Sequence, residues 1–204
     1  MKTMRLATVL GCCLLPTCCG VLESGKPARQ VYLLQTPAAP AHVRPAEHAP
    51  ALVISVTAVP GLDTDRILVL AQDARLNPVA NAHWPDHMPE VFTSIIRRHL
   101  SDSQQFSTVI QGSIARPEEW LLELELQAFY GTQGSAGAIS GVVLKLEGLL
   151  RCDGERHVLR MAQQTSANGE NLTGLVAAHQ RVIDAAMNEL PADIVEACAP
   201  VVRN

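Results

Sequence analysis

The residues able to do chemistry in this chain are few and scattered. Of six cysteines, four (Cys12, Cys13, Cys18 and Cys19) crowd into the first twenty positions, and only Cys152 and Cys198 stand in the body. Those two lack the C-x-x-C spacing of a metal or redox pair. They form either a bridge or two unpaired buried thiols, and the sequence leaves both open because a disulfide depends on Cα geometry. His83 and His87 are four apart, the spacing of a helical ligand pair, but Pro85 between them marks a helix start, so they are not expected to share a face or hold a metal. His179 has no titratable neighbour at ligand spacing. Glu123 and Glu125 could act as a carboxylate pair. Their alternation with leucines instead describes a solvated or partner-facing strand surface. No serine carries the G-x-S-x-G context of a nucleophile elbow. The glycines of "GTQGSAGAISG" are not followed by the Lys-Ser/Thr of a phosphate loop. Asn171-Leu172-Thr173 fits the glycosylation triplet and offers no catalytic group. The residues thus give no catalytic constellation, cofactor site or metal site.

The cysteine crowding at the start has a different chemistry. Lys2 and Arg5 make a basic opening, Leu6 to Leu15 is an uncharged apolar run, and small residues follow. That is the layout of a secretory signal, too short to span a bilayer at about 20 residues. The stretch "LLPTCCG" then places Cys18 and Cys19 at the cleavage region, in a degenerate version of the box at which bacterial lipoproteins are acylated. Lipidation at one of Cys18 and Cys19 is expected, and a multiply acylated cysteine gives stable membrane attachment. Residues 1–18 are read as this signal and 19–50 as a tether and Pro/Ala-rich extended segment containing a short strand. Residues 51–204 are read as a single α+β domain, which the strand at 31–34 joins.

Charge narrows the function classes further. Net charge is −4 for the whole chain; removing Lys2 and Arg5 leaves 14 basic against 20 acidic residues, or −6. There is no basic stripe, and aromatics are only 3% of residues, so nucleic acid is not an expected partner.

Any surface must be positioned by the elements. Strands are expected at 52–59, 66–72 and, shorter because of Pro78, 75–82. "PDHMPEVFTSIIRRHL" predicts a helix over 85–100, with apolar residues at three- and four-residue spacing, acids at its start and cations at its end. A strand at 106–110 precedes three alternating strands between about 120 and 165. These form a meander, closed at Asp153-Gly154 by a hairpin turn. A last helix begins near Asn171, and Pro191 is expected to kink or restart it. The fold class is α+β, a mixed and largely antiparallel sheet with two main helices packed on one face. Trp84, at the start of the first helix, is either a core residue or an anchor for a partner. Gly134, Ser135 and Gly137, in the loop between two of the long strands, are a candidate mobile contact surface.

The order of several segments resembles a known family. Tyr32-Leu33-Leu34 follows the lipoprotein-like signal, and Val59-Pro60-Gly61-Leu62-Asp63 leads into Arg66-Ile67. Trp84-Pro85 with Met88-Pro89 opens the first helix, and "LVAAHQRVIDAAMNELPADI" forms the last. These resemble the ABC-type transport auxiliary lipoproteins over most of the chain beyond the signal, with departures at the poor acylation box and at Pro191. The resemblance implies a non-enzymatic periplasmic lipoprotein of a Gram-negative envelope, held at the inner leaflet of the outer membrane by its N-terminal lipid. Gly or Cys after the acylated residue fits that sorting. It further implies a homo-oligomer working with an MCE-domain substrate-binding protein, an ABC permease and an ATPase to move lipids or other hydrophobic molecules. An assembly lipoprotein of another envelope system is the alternative, and a secreted hydrolase lacks its nucleophile.

Overall fold

A computed structural model describes residues 28–38, 49–134, 137–167 and 171–199. Its elements are β1 (Gln30–Val31), β2 (Ala51–Ala58), β3 (Arg66–Leu70), β4 (Leu76–His83) and α1 (Met88–Asp102). They continue with β5 (Thr108–Gln111), β6 (Trp120–Gln133), β7 (Ile139–Cys152), β8 (Glu155–Ser166) and α2 (Leu172–Ala197). The strands form one eight-stranded sheet, which with the two helices is an α+β fold.

The expected meander is the spine of that sheet. Alternation in β7, β8 and the first half of β6 allows long antiparallel ladders, Leu121 to Gln133 against Ile139 to Arg151 and Gly141 to Cys152 against Glu155 to Ser166. A register shift between Leu126 and Ala128 turns Phe129 rather than Ala128 into the core. Asp153 and Gly154 turn the second hairpin with φ of 50° and 81°, the left-handed backbone an Asp-Gly turn supplies. The free edge of β6 is shared end to end. Its first half pairs in parallel with β2, and its last residues pair in parallel with β3, so the turn at Pro60-Gly61 lets the chain step along one edge. β5 extends the sheet beyond β2, and β4 and β1 extend it beyond β3.

Alternation divides the sheet into two faces. Leu122, Leu124, Leu126 and Phe129 of β6, with Val142, Leu144, Leu146 and Leu150 of β7, are buried on the inner face. There α1 packs on β2 and β5, and α2 packs on β6, β7 and β8. Each fully buried leucine contributes about 1.5–3 kcal/mol relative to exposure. Gly148 sits in that inner row because space is short: a Cβ there would come 2.5 Å from Leu124 Cδ2.

Three sequence expectations change in the structure. The strand expected at 31–34 shrinks to Gln30–Val31, and Tyr32 to Ala38 leave the sheet. α1 begins at Met88 rather than Pro85, because residues 84–87 are held outside the helix: Trp84 N–H donates to Asp65 O and His87 Nδ1–H to Asp63. α2 runs unbroken through Pro191, which is buried. Buried Ile194 and the Cys198 bond anchor the turn beyond the missing hydrogen bond.

Candidate functional site

Three places in the fold gather polar groups. The first is the N-terminal strap. Arg29 pairs with Asp65 at 2.5 Å, and Tyr32 N–H donates to His83 O. The chain then bridges the two helices. Gln35 N–H donates to the Gln180 side-chain oxygen at 2.8 Å, and the Gln180 amide donates back to Gln35 O at 2.9 Å. Fully buried His99 donates through Nδ1 to Pro37 O at 3.1 Å. One side chain of α2 and one of α1 thus read the strap backbone. Beside it lies an open groove of about 750 Å³, lined by Leu33, Pro37 and Ala38 of the strap and Glu90, Ser94 and Arg98 of α1.

The second is the corner joining the β2–β3 turn to the start of α1. His83 donates to Asp65 at 2.9 Å and His87 to Asp63 at 2.8 Å. Burial pushes the Asp65 carboxyl up, but the hydrogen bond and charge of His83, with Arg29, outweigh it and hold the group below its ordinary value. His87 is raised, first by its hydrogen bond to Asp63. Each histidine has its own carboxylate. Among the described residues, no three His, Cys, Asp or Glu side chains are placed to hold a metal ion.

The third is the bare face of the sheet. Glu123 and Glu125 both project there, away from the helices, and Glu125 stands directly opposite Glu147. Glu147 is paired with Arg160 at 3.1 Å. Leu149 and Val158, partners across the β7–β8 ladder, are 37% and 55% exposed on the same face.

The residues singled out from sequence fall in different places. Cys18 and Cys19 lie outside the described residues. Cys152 and Cys198 are bonded, with Cα atoms 6.0 Å apart, so the end of β7 is tied to the cap of α2. Trp84 is 1% exposed, packed edge-on to His179 at 5.2 Å and against Phe129 at 5.8 Å, which removes it from any contact surface. Its backbone N–H is held by Asp65 O, and its ring joins the core. Gly134 is half-buried and hydrogen-bonded to Ala138, Gly137 is exposed, and Ser135 lies outside the described residues. Glu123 and Glu125 meet no histidine or nucleophile. Sequence reasoning passed over Gln180 and His99, whose role depends on a segment some sixty or more positions away.

Comparison with known proteins gives this arrangement its context. The sequence model of the ABC-type transport auxiliary lipoprotein component matches residues 32–190. The chain belongs to that family. The match begins at Tyr32, where the strap leaves the sheet, and takes in all of α1 and most of α2. A solved structure, protein XCC0632 from Xanthomonas campestris, assigned to DUF330, superposes with a TM-score of 0.71 at 15% identity. The match covers 82% of this chain and 96% of that one. An uncharacterized protein superposes at 0.64 and 13% identity, over 82% and 99% of the two chains. Both likenesses show the fold. No curated protein matches the chain. As an auxiliary component of a transport system, this lipoprotein is built to work beside a transporter. Among the described residues no helix is long and apolar enough to cross a membrane.

Proposed function

We propose that this auxiliary lipoprotein is a non-catalytic subunit of an ABC transport system that moves lipids or other hydrophobic molecules across a Gram-negative envelope. In this reading residues 1–18 are a signal, one of Cys18 and Cys19 carries the lipid, and residues 19–50 are a tether that contains the strap. The body from residue 51 is one domain standing in the periplasm at the inner leaflet of the outer membrane. It works as a homo-oligomer with an MCE-domain substrate-binding protein, served by the permease and ATPase, and it needs no cofactor.

The match of the transport auxiliary family over residues 32–190 carries the reading. The bonded Cys152 and Cys198 support an exported location, since disulfides persist in oxidising compartments. The strap supports a tethered body: force on the N-terminus is received by Arg29, Gln35 and Pro37, each held by a different element. The test is copurification of the full-length chain with its MCE-domain protein, together with mass spectrometry of the N-terminal peptide. Acyl mass on Cys18 or Cys19 and a stoichiometric complex are expected. An unmodified N-terminus would remove the anchor, and a free subunit at micromolar concentration would remove the partner.

A further inference from the structure

We propose that one end of the bare sheet face, where Ile110, Ile114 and three arginines meet, docks a protein partner that presents an apolar side chain flanked by carboxylates. The proposal rests on the transport-subunit reading and adds the place of contact.

The apolar part is unusual for this chain. Most of its large apolar residues are buried, yet Ile114 is 86% exposed and Ile110 is 44% exposed. Between them lies an open hollow of about 500 Å³ whose floor is Val53, itself 2% exposed. The loop lies close on the sheet, since a Cβ at Gly112 would stand 3.3 Å from Val53 Cγ1. A preformed hollow rimmed by exposed isoleucine is suited to an inserted side chain.

The charged part adjoins it. A second hollow, of about 310 Å³, shares Ala115, Arg116 and Glu119 with the first and is lined also by Arg151. Arg151 is the cross-strand partner of Arg156 on the same face. Like charges directly opposite are destabilising. Arg116, Arg151 and Arg156 take part in none of the ion pairs among the described residues. Of the acids beside them, Glu119 accepts from the Arg116 backbone N–H at 2.8 Å and Glu155 approaches His157 at 3.9 Å, while Asp153 lines the second hollow with Arg151. Three guanidiniums therefore stand ready for carboxylates supplied from outside, the pairing their planar fork favours.

The strap selects a protein over a bilayer: Tyr32 to Ala38 lie on the helix side against His99 and Gln180, so the bare face is the one the N-terminal segment leaves free.

The test measures binding of the full-length chain to the purified MCE-domain protein. Ile114→Asp, and Arg151→Glu with Arg156→Glu, should each weaken binding about tenfold or more, as truncation of an interface anchor does. Arg97→Glu, on the exposed face of α1, should leave it unchanged. Ile114 is too exposed for its replacement to unfold the chain, so that variant decides if the arginine pair melts. Equal binding by every variant would overturn the surface and leave the transport reading standing. No binding by the unaltered chain would overturn both. Cosedimentation with phosphatidylglycerol vesicles that the arginine changes abolish would assign the corner to lipid and likewise overturn the proposal.

Discussion

The two faces of the sheet are made by alternate residues of the same strands, yet they obey different constraints. On the inner face Leu124, Leu144, Leu146 and Leu150 are at most 2% exposed, and even a glycine, Gly148, is fixed by volume. One step along each strand, Glu123, Glu125, Lys145 and Glu147 stand in solvent, and two glutamates face each other across the ladder. Close packing governs the first set, where a single methylene is felt. The second set tolerates like-charge opposition because water screens it. The inner face specifies the fold, and the outer face is free to specify a partner.

The contrast can be broken in order of expected effect. Replacing Cys198 with Ala opens the link between the inner-face end of β7 and the α2 cap. With a separation of 46 residues, chain-entropy arithmetic gives a loss of about 4 kcal/mol, read by denaturant unfolding under non-reducing conditions. Gly148→Val places side-chain atoms where Leu124 already lies and should cost about 3 kcal/mol. Glu147→Val, one residue away on the bare face, should stay within about 1 kcal/mol. Equal losses at both positions would mean that the faces are not distinct.

His179 gives the inner face a pH signature. Burial lowers its pKa to about 4, against its hydrogen bond to Leu175 O, which favours the charged form. The unfolded chain takes up a proton near pH 6.5 and the folded chain does not until about pH 4. Stability therefore falls as pH drops through that window, by about 3 kcal/mol in all, and levels off below it. Thermal melts between pH 7 and 4 should show the slope, and His179→Leu should remove that part of it. At the small end, Glu125→Gln relieves the opposition to Glu147 and should leave stability within about 0.5 kcal/mol or raise it slightly at low salt.

The strap can be placed on the same scale. Gln180→Ala removes both hydrogen bonds to Gln35, and a loss of about 1–2 kcal/mol is expected. Amide exchange at Gln35 should quicken more than at the β6–β7 ladder; uniform acceleration would mean that the strap is no separate unit.

Much of the frame was legible in the residues. The alternation of β7, of β8 and of β6 as far as Leu126, the Asp153-Gly154 turn and the apolar stripe of α1 are local patterns, and each is found where its residues put it. Beyond Leu126 a register shift breaks the period of β6. α1 starts at Met88 and not at Pro85 because tertiary bonds from Asp63 and Asp65 hold Trp84 and His87 outside the helix. Pro191 does not break α2 because buried Ile194 packs beyond it, a contact with no local signal in the chain. The contact surface was the least legible part. Trp84 has the residue type of an anchor but lies in the core, whereas Ile114 sits in a polar loop and stands open.

By itself the sequence determined the periodic elements, their class and the division of each strand into an apolar and a polar side, because these follow from backbone geometry and side-chain hydrophobicity over a few residues. Only the tertiary structure decided what depends on distant partners. It ran β2 and β3 end to end along one edge of β6, laid the strap on Gln180 and His99, and joined Cys152 to Cys198. It also chose which exposed residues share a surface. Those outcomes are set by which segments meet in space, and pairing across such separations leaves no local period in the chain.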